Sequence, residues 1–133
     1  MNSDITIGHE GSVEKRVDQT MTAAAVGSGA VEGLSTPSMI ALMEAAAIRA
    51  VGGVPEGHST VGTHIDVRHL APTPVGMMVV AKAVVCEVDG RRVVFSLTAN
   101  DEAGLIGQGT HERYIVRLDG FAERLRDRGE SRI

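Results

Sequence analysis

Aromatic residues are almost missing from this chain. Phe95, Tyr114 and Phe121 are all it has, and there is no Trp. Any core must therefore be filled by Val, Ile, Leu, Met and Ala. Cysteine is as scarce: the single Cys86 excludes an internal disulfide and a cysteine-based zinc site, so a reducing, cytoplasmic location is expected. No apolar run approaches the length of a bilayer span. The N-terminus, M-N-S-D-I-T-I-G, lacks the basic and apolar regions of a signal peptide. Positive charge is not in excess, since 13 Lys and Arg against 17 Asp and Glu leave a net charge of −4. That balance gives no general attraction to nucleic acid or to an anionic membrane, and neither is an expected partner. Gly-rich phosphate motifs, redox Cys pairs, internal repeats and low-complexity tracts are also lacking.

What remains is 133 residues with an ordinary hydrophobic fraction of 43%. That is one soluble domain with one core, residues 1–133, in which 1–10 and 122–133 are expected to be peripheral. Its strongest local signal is the stretch S-T-P-S-M-I-A-L-M-E-A-A-A-I-R-A-V-G-G. Pro37 suits the first helical turn and Thr36 suits the cap. The run from Met39 to Val51 has neither Gly nor Pro, and Gly52, Gly53 and Pro55 supply the stop. Before the helix, weak alternation suggests a strand over about 11–18. The small, Gly-punctuated segment 19–34 reads as a loop with a possible helical turn at Ala23–Val26, either covering a site or simply connecting elements. After the helix come four strand-like segments, 61–70, 76–88, 91–100 and 105–118. Asp89-Gly90 predicts a type I′ hairpin, and 76–88 reads as buried on both faces for part of its length. The tail 119–133 is a short helix or disordered. One helix beside about five strands, the last three forming an antiparallel meander, is an α+β layout. The uncovered sheet edge and face point to a homodimer or higher homo-oligomer.

Within the helix, Glu44 shares a face with Ile40, Ala41, Ala47 and Ile48. A carboxylate there either snorkels to water at the helix edge or has a partner and a task. His69 shares a strand face with Ile65 and Val67, which directs it to the helix as a core histidine or as a catalytic one. Thr36 stands at the helix N-terminus, where free N–H groups favour developing negative charge, as a plain cap or as a reactive hydroxyl. Together a hydroxyl, an imidazole and a carboxylate are the parts of acyl transfer. His58, His64 and Asp66 do not make a metal set, because His64 and His69 lie on opposite strand faces and His64 with Asp66 gives only two ligands; no metal is expected. His111 and Arg113 share a face of the last strand with Gly107 and Gly109, glycines that signal close approach of a backbone or a ligand. Arg68, Lys82, Arg91 and Arg92 either meet a phosphate or are solvated surface charges.

Four motifs, in this order, carry a family resemblance: T-P-S-M-I-A-L-M-E, G-T-H-I-D-V-R-H-L-A, D-G-R-R and G-Q-G-T-H-E-R-Y-I-V. Over roughly residues 30–121 the chain resembles the hot-dog-fold acyl-CoA thioesterases, and among them the fluoroacetyl-CoA thioesterase-like family. The resemblance implies a long helix wrapped by an antiparallel sheet, dimers that join two sheets, and sites near the dimer interface. It implies a catalytic set of Thr36, Glu44 and His69, with the Gly62 amide and the Arg113 side chain holding the acyl group. It also implies an acyl-CoA substrate and no separate cofactor, CoA being part of the substrate. The chain departs from the family in one place. The fluoroacetate-specific member has a Phe in the lid before the catalytic Thr, whereas A-V-G-S-G-A-V-E-G-L here has no aromatic. The expected activity is therefore hydrolysis of a short- or medium-chain acyl-CoA. The rivals are a hot-dog enoyl-CoA hydratase or dehydratase and a non-catalytic acyl-thioester-binding module.

Overall fold

A computed structural model describes residues 5–131. In chain order the elements are β1 (Glu10–Arg16), a 3-10 turn (Gln19–Met21), α1 (Ala23–Val26), α2 (Thr36–Val51), β2 (His58–His69), β3 (Met78–Asp89), β4 (Arg92–Asp101), β5 (Gly104–Arg117) and α3 (Leu118–Glu130). The strands form one antiparallel sheet in the order β1-β3-β4-β5-β2. β3, β4 and β5 make the expected meander, and β2 crosses over to become an edge.

α2 packs chiefly on β1, β3 and β4. Its buried face is Met39, Met43, Ala46, Ala47, Ala50 and Val51. The alanines let the helix axis come close to the sheet. So does Gly11 in β1, where a Cβ would lie 2.3 Å from the Ala50 backbone nitrogen. Opposite the helix stand Val79, Ala81, Ala83, Val85, Val93, Phe95, Leu97 and Ala99, every second residue of β3 and β4. Close small-residue packing is thus how a chain with three aromatics fills its interior. Ile5, ahead of β1, joins the same core.

Several local expectations change. Ser35, not Thr36, caps α2: its hydroxyl accepts from the Ser38 N–H, 3.1 Å away. Thr36 is the first helical residue, and its side chain is free for other use. The β3–β4 turn has positive φ at Gly90 (+60°) and at no non-glycine residue among those described. A type I′ turn needs positive φ at both central positions, so this turn has the type II′ pattern instead. β3 is buried on the helix side only, with Val80 and Lys82 exposed on the other, because no second layer among the described residues covers that face. The tail is helical as α3, and none of its side chains is buried. Lys82 pairs with Glu10, and Arg92 with Glu87 and Glu112, so two of the four surface cations considered for phosphate contact are already engaged.

Candidate active site

The first residue of α2 and the last of β2 meet. Thr36 Oγ1 lies 2.7 Å from His69 Nδ1. The other ring nitrogen, His69 Nε2, is buried and makes no hydrogen bond. Burial of the ring holds His69 below the ordinary imidazole range. The Ala71 backbone opposes that shift. In the tautomer protonated at Nε2, the Nδ1 lone pair accepts from the Thr36 hydroxyl. A neutral imidazole bonded to a hydroxyl at a helix N-terminus can take a proton from that hydroxyl or from a nearby water.

Beside this pair lies a hollow of about 450 Å³, walled by Ala23, Ala30, Val31, Leu34, Leu70 and Pro72 along with Thr36 and His69. The segment between α1 and α2 forms one side of it. Its lining carries neither an acidic nor a basic side chain apart from the imidazole.

Glu44 is elsewhere. Eight residues along α2 from Thr36, it is displaced by about 12 Å along the helix axis. Its side chain is 41% exposed, at the edge of the apolar face of α2, and it also has partners. Glu44 Oε2 stands 3.5 Å from Arg113 Nη1 and 3.8 Å from His111 Nε2. Arg113 is held on the inner face of β5: Nε donates to Thr60 Oγ1 (2.9 Å) and Nη2 to the Thr60 carbonyl (3.0 Å). Burial pulls Arg113 below the usual guanidinium range, opposed by the Glu44 charge.

Gly62 closes this second cluster. It pairs with Arg113 across β2 and β5, next to a bulge at Thr63. A Cβ at Gly62 would sit 3.0 Å from Glu44 Oε2, 3.2 Å from His111 Cε1 and 3.4 Å from Arg113 Nη1. Its φ lies outside the left-handed region, so space rather than backbone conformation calls for glycine here. Gly107 and Gly109 serve close backbone and side-chain packing, as expected: a Cβ at Gly109 would lie 2.0 Å from the Asp66 carbonyl oxygen.

One chain therefore brings Thr36 to His69, and Glu44 to Gly62 and Arg113, but does not join the two groups. Thr60 is a member of the second group that sequence reasoning left out, and His111, placed there on the Arg113 face, was given no role in the site. The signal was available in part, because His111 alternates with Arg113 and Ile115 on one strand face.

A long helix cradled by a β1-β3-β4-β5-β2 antiparallel sheet is the hot-dog fold, and a Thr-His pair at the helix start with a Glu two turns on suits a thioesterase of that fold. The comparisons with known proteins agree. The family model described as fluoroacetyl-CoA-specific thioesterase matches residues 17–119, and the chain belongs to that family. The fluoroacetyl-CoA thioesterase of Streptantibioticus cattleyicolor is 39% identical over 98 residues, which are 73% of this chain and 70% of that protein. A solved structure of the fluoroacetyl-CoA thioesterase FlK superposes with a TM-score of 0.88 at 30% identity, covering 94% of this chain and 98% of that one. A hot-dog-like protein from Thermanaerovibrio acidaminovorans gives a TM-score of 0.84 at 31% identity, covering 92% and 91%.

Proposed function

We infer that the protein hydrolyses acyl-CoA thioesters to the free acid and CoA, at a centre shared between two copies of the chain. The observation that carries this reading is the Thr36–His69 hydrogen bond beside an uncharged hollow, with the carboxylate that would complete the set held apart on the same helix. His69 is the general base and proton shuttle. Thr36 positions the acyl group or shares the proton. Glu44 of a second copy activates the water or attacks the carbonyl carbon itself. As the tetrahedral centre forms, the Gly62 N–H and Arg113 hold the developing oxyanion and the acyl group. Loss of an oxyanion donor costs about 3–4 kcal/mol where it has been removed in other enzymes. In the direct route the water's proton passes through Glu44 to His69, and His69 gives it to the CoA thiolate as the C–S bond breaks. In the covalent route the C–S bond breaks to leave a Glu44 acyl anhydride and CoA thiolate. A water that gives one proton to His69 then cleaves the anhydride to the free acid, the proton passing on to the thiolate. No cofactor enters the scheme, CoA being part of the substrate.

Support for a homodimer comes from surfaces that one chain leaves uncovered. β2 is an edge strand. Ile48 on α2 is 54% exposed, and Ile65 on β2 is 37% exposed. An unpaired edge beside apolar side chains suits a second copy of the same chain. Among the described residues no helix is long and apolar enough to cross a membrane. The free, exposed Cys86 suits a reducing cytoplasm.

The hollow favours a neutral aliphatic acyl group of short or medium length over one that ends in a carboxylate. Each methylene it buries is worth about 0.8 kcal/mol, roughly fourfold in kcat/KM. The deciding experiment is a panel of acyl-CoA substrates from acetyl to octanoyl, with fluoroacetyl-CoA and succinyl-CoA added, followed by release of free thiol. The expected result is turnover that rises with chain length to an optimum, weak activity on succinyl-CoA, and loss of activity in Glu44→Gln and His69→Ala. Wild-type turnover in both variants would refute the assignment. Water addition to an enoyl-CoA without thiol release would favour the hydratase, and binding without either reaction the acyl-thioester-binding module. The mass of the protein trapped with a slow substrate distinguishes a Glu44 acyl intermediate from direct attack by water.

A further inference from the structure

We propose that His111 is a positioning residue for this reaction: it holds the Arg113 guanidinium against Glu44 through a lone pair that only the neutral ring can offer. The proposal rests on the thioesterase reading above and adds to it a residue that the Thr36, Glu44 and His69 set does not contain.

His111 is 2% exposed, on the inner face of β5. Its Nδ1 lies 2.7 Å from the His64 carbonyl oxygen. A carbonyl can only accept, so Nδ1 carries the proton. Its Nε2 lies 3.2 Å from Arg113 Nη1. A guanidinium can only donate, so Nε2 is a bare lone pair. The two partners thus fix one tautomer of an uncharged imidazole. Burial and the adjacent Arg113 charge both favour that neutral form.

The consequence is geometric. Arg113 is a planar fork anchored by Thr60 through Nε and Nη2. Its Nη1 is the nitrogen that approaches Gly62, and it faces His111 Nε2 and Glu44 Oε2. Thr60 fixes one side of the fork and the imidazole its far corner; without that acceptor the whole guanidinium can pivot about the Thr60 contacts and carry Nη1 away from its place beside Glu44. The charged and titratable groups around the ring are few. Glu44 faces it from α2. Arg113 lies on its own strand face, and the more distant Glu112 is next to it in sequence. β4 contributes the Phe95 ring, with centroids 6.0 Å apart, and β2 the His64 carbonyl. Protonation of His111 would replace an acceptor by a second cation facing Arg113, so the arrangement holds only while the ring is neutral.

Two variants separate this role from simple packing. In His111→Asn the side chain can still donate to the His64 carbonyl but ends short of Arg113. In His111→Gln the amide oxygen can take the place of Nε2. With the preferred acyl-CoA, His111→Asn should lose at least tenfold in kcat with KM changed by less than threefold, and His111→Gln should recover most of the loss. Wild-type kcat in His111→Asn, or equal losses in both variants, would overturn the proposal. NMR of the imidazole nitrogens in the wild-type protein gives a second reading that needs no variant to fold. It should show a neutral ring protonated at Nδ1 at pH 7, and an imidazolium or the Nε2–H tautomer there would overturn it. A wild-type protein that turns over no acyl-CoA would refute the thioesterase reading and this one with it. An active wild type alongside an unaffected His111→Asn would refute this one alone.

Discussion

Substituting alanine at two glycines should give opposite results, and the difference can be worked from the structure. At Gly62 the new methyl would lie 3.0 Å from Glu44 Oε2 and 3.2 Å from His111 Cε1. The nearer of these is the end of a side chain that is 41% exposed and can retreat by a few tenths of an ångström. The buried His111 ring has to give by less, which offsets part of the stability that alanine gains. Gly62 has no positive φ, and alanine there gains about 0.4–1 kcal/mol by restricting the unfolded chain. Stability should therefore change by less than about 1 kcal/mol, a Tm shift of roughly 4 °C or less. Activity should not be spared. A reacting group displaced by up to about 1 Å costs as much as 100-fold, so kcat/KM should fall about 10- to 100-fold. At Gly109 the same methyl would lie 2.0 Å from the Asp66 carbonyl oxygen and 2.6 Å from Val67 Cα. Both are backbone atoms of β2, and the strand itself has to move. That overpacking should cost about 3 kcal/mol or more, roughly 10 °C in Tm. Thermal denaturation and thiol-release kinetics on both variants make the comparison. An unchanged kcat/KM in Gly62→Ala, or a Tm loss as large as that of Gly109→Ala, would refute the reasoning.

Neighbouring residues at the start of α2 should also separate. Ser35→Ala removes the cap and should cost about 1 kcal/mol in thermal or urea unfolding. Thr36→Ala should leave stability nearly unchanged while lowering kcat by about 100-fold through loss of the hydroxyl bonded to His69. Arg113→Lys should not conserve function, because one ammonium cannot span the two Thr60 contacts and His111; kcat/KM should fall about 100-fold in the thiol-release assay. Stability should depend on pH on the acid side. His69 and His111 are both held below the ordinary imidazole value of 6.5 by burial. Between that value and their lower folded values the unfolded chain binds more protons than the native one. The Tm should therefore be level above the ordinary imidazole range and fall as pH drops below it, with less slope in His111→Gln. A Tm that rose on acidification over that window would contradict the burial of the two rings.

Much of the fold was legible because local chemistry and tertiary context agree. Pro37 and the Gly52-Gly53 pair bracket α2 within a residue of where it lies. Alternation and turn residues mark β3, β4 and β5 closely. Ala23–Val26 forms the helical turn that its small residues allowed. What was not legible depends on long-range placement. Nothing in the residues of β2 says that it pairs with β5 instead of β3, and that crossover is what sets Gly62 opposite Arg113. Thr36 was taken as the cap where Ser35 serves, since either hydroxyl can do so and only contact with His69 draws Thr36 away. Glu44 was recognised as anomalous from its face of the helix, but not its neighbours. They come from a strand distant in sequence, and the helix covers only one side of the sheet. His111 was placed on the Arg113 face beside two glycines but given no role. Its partner on β2 is a backbone carbonyl, which no pattern of side chains encodes.

The central claim is that Thr36 and His69 of one copy act with Glu44 of another. Mixing His69→Ala with Glu44→Gln, after unfolding and refolding together, tests it directly. Each variant alone should be inactive. Random pairing of two chains would make half the dimers mixed, each with one site that has both groups intact, so the mixture should recover about a quarter of wild-type activity. A mixture as inactive as its parents, while shown to contain mixed dimers, would contradict a shared site.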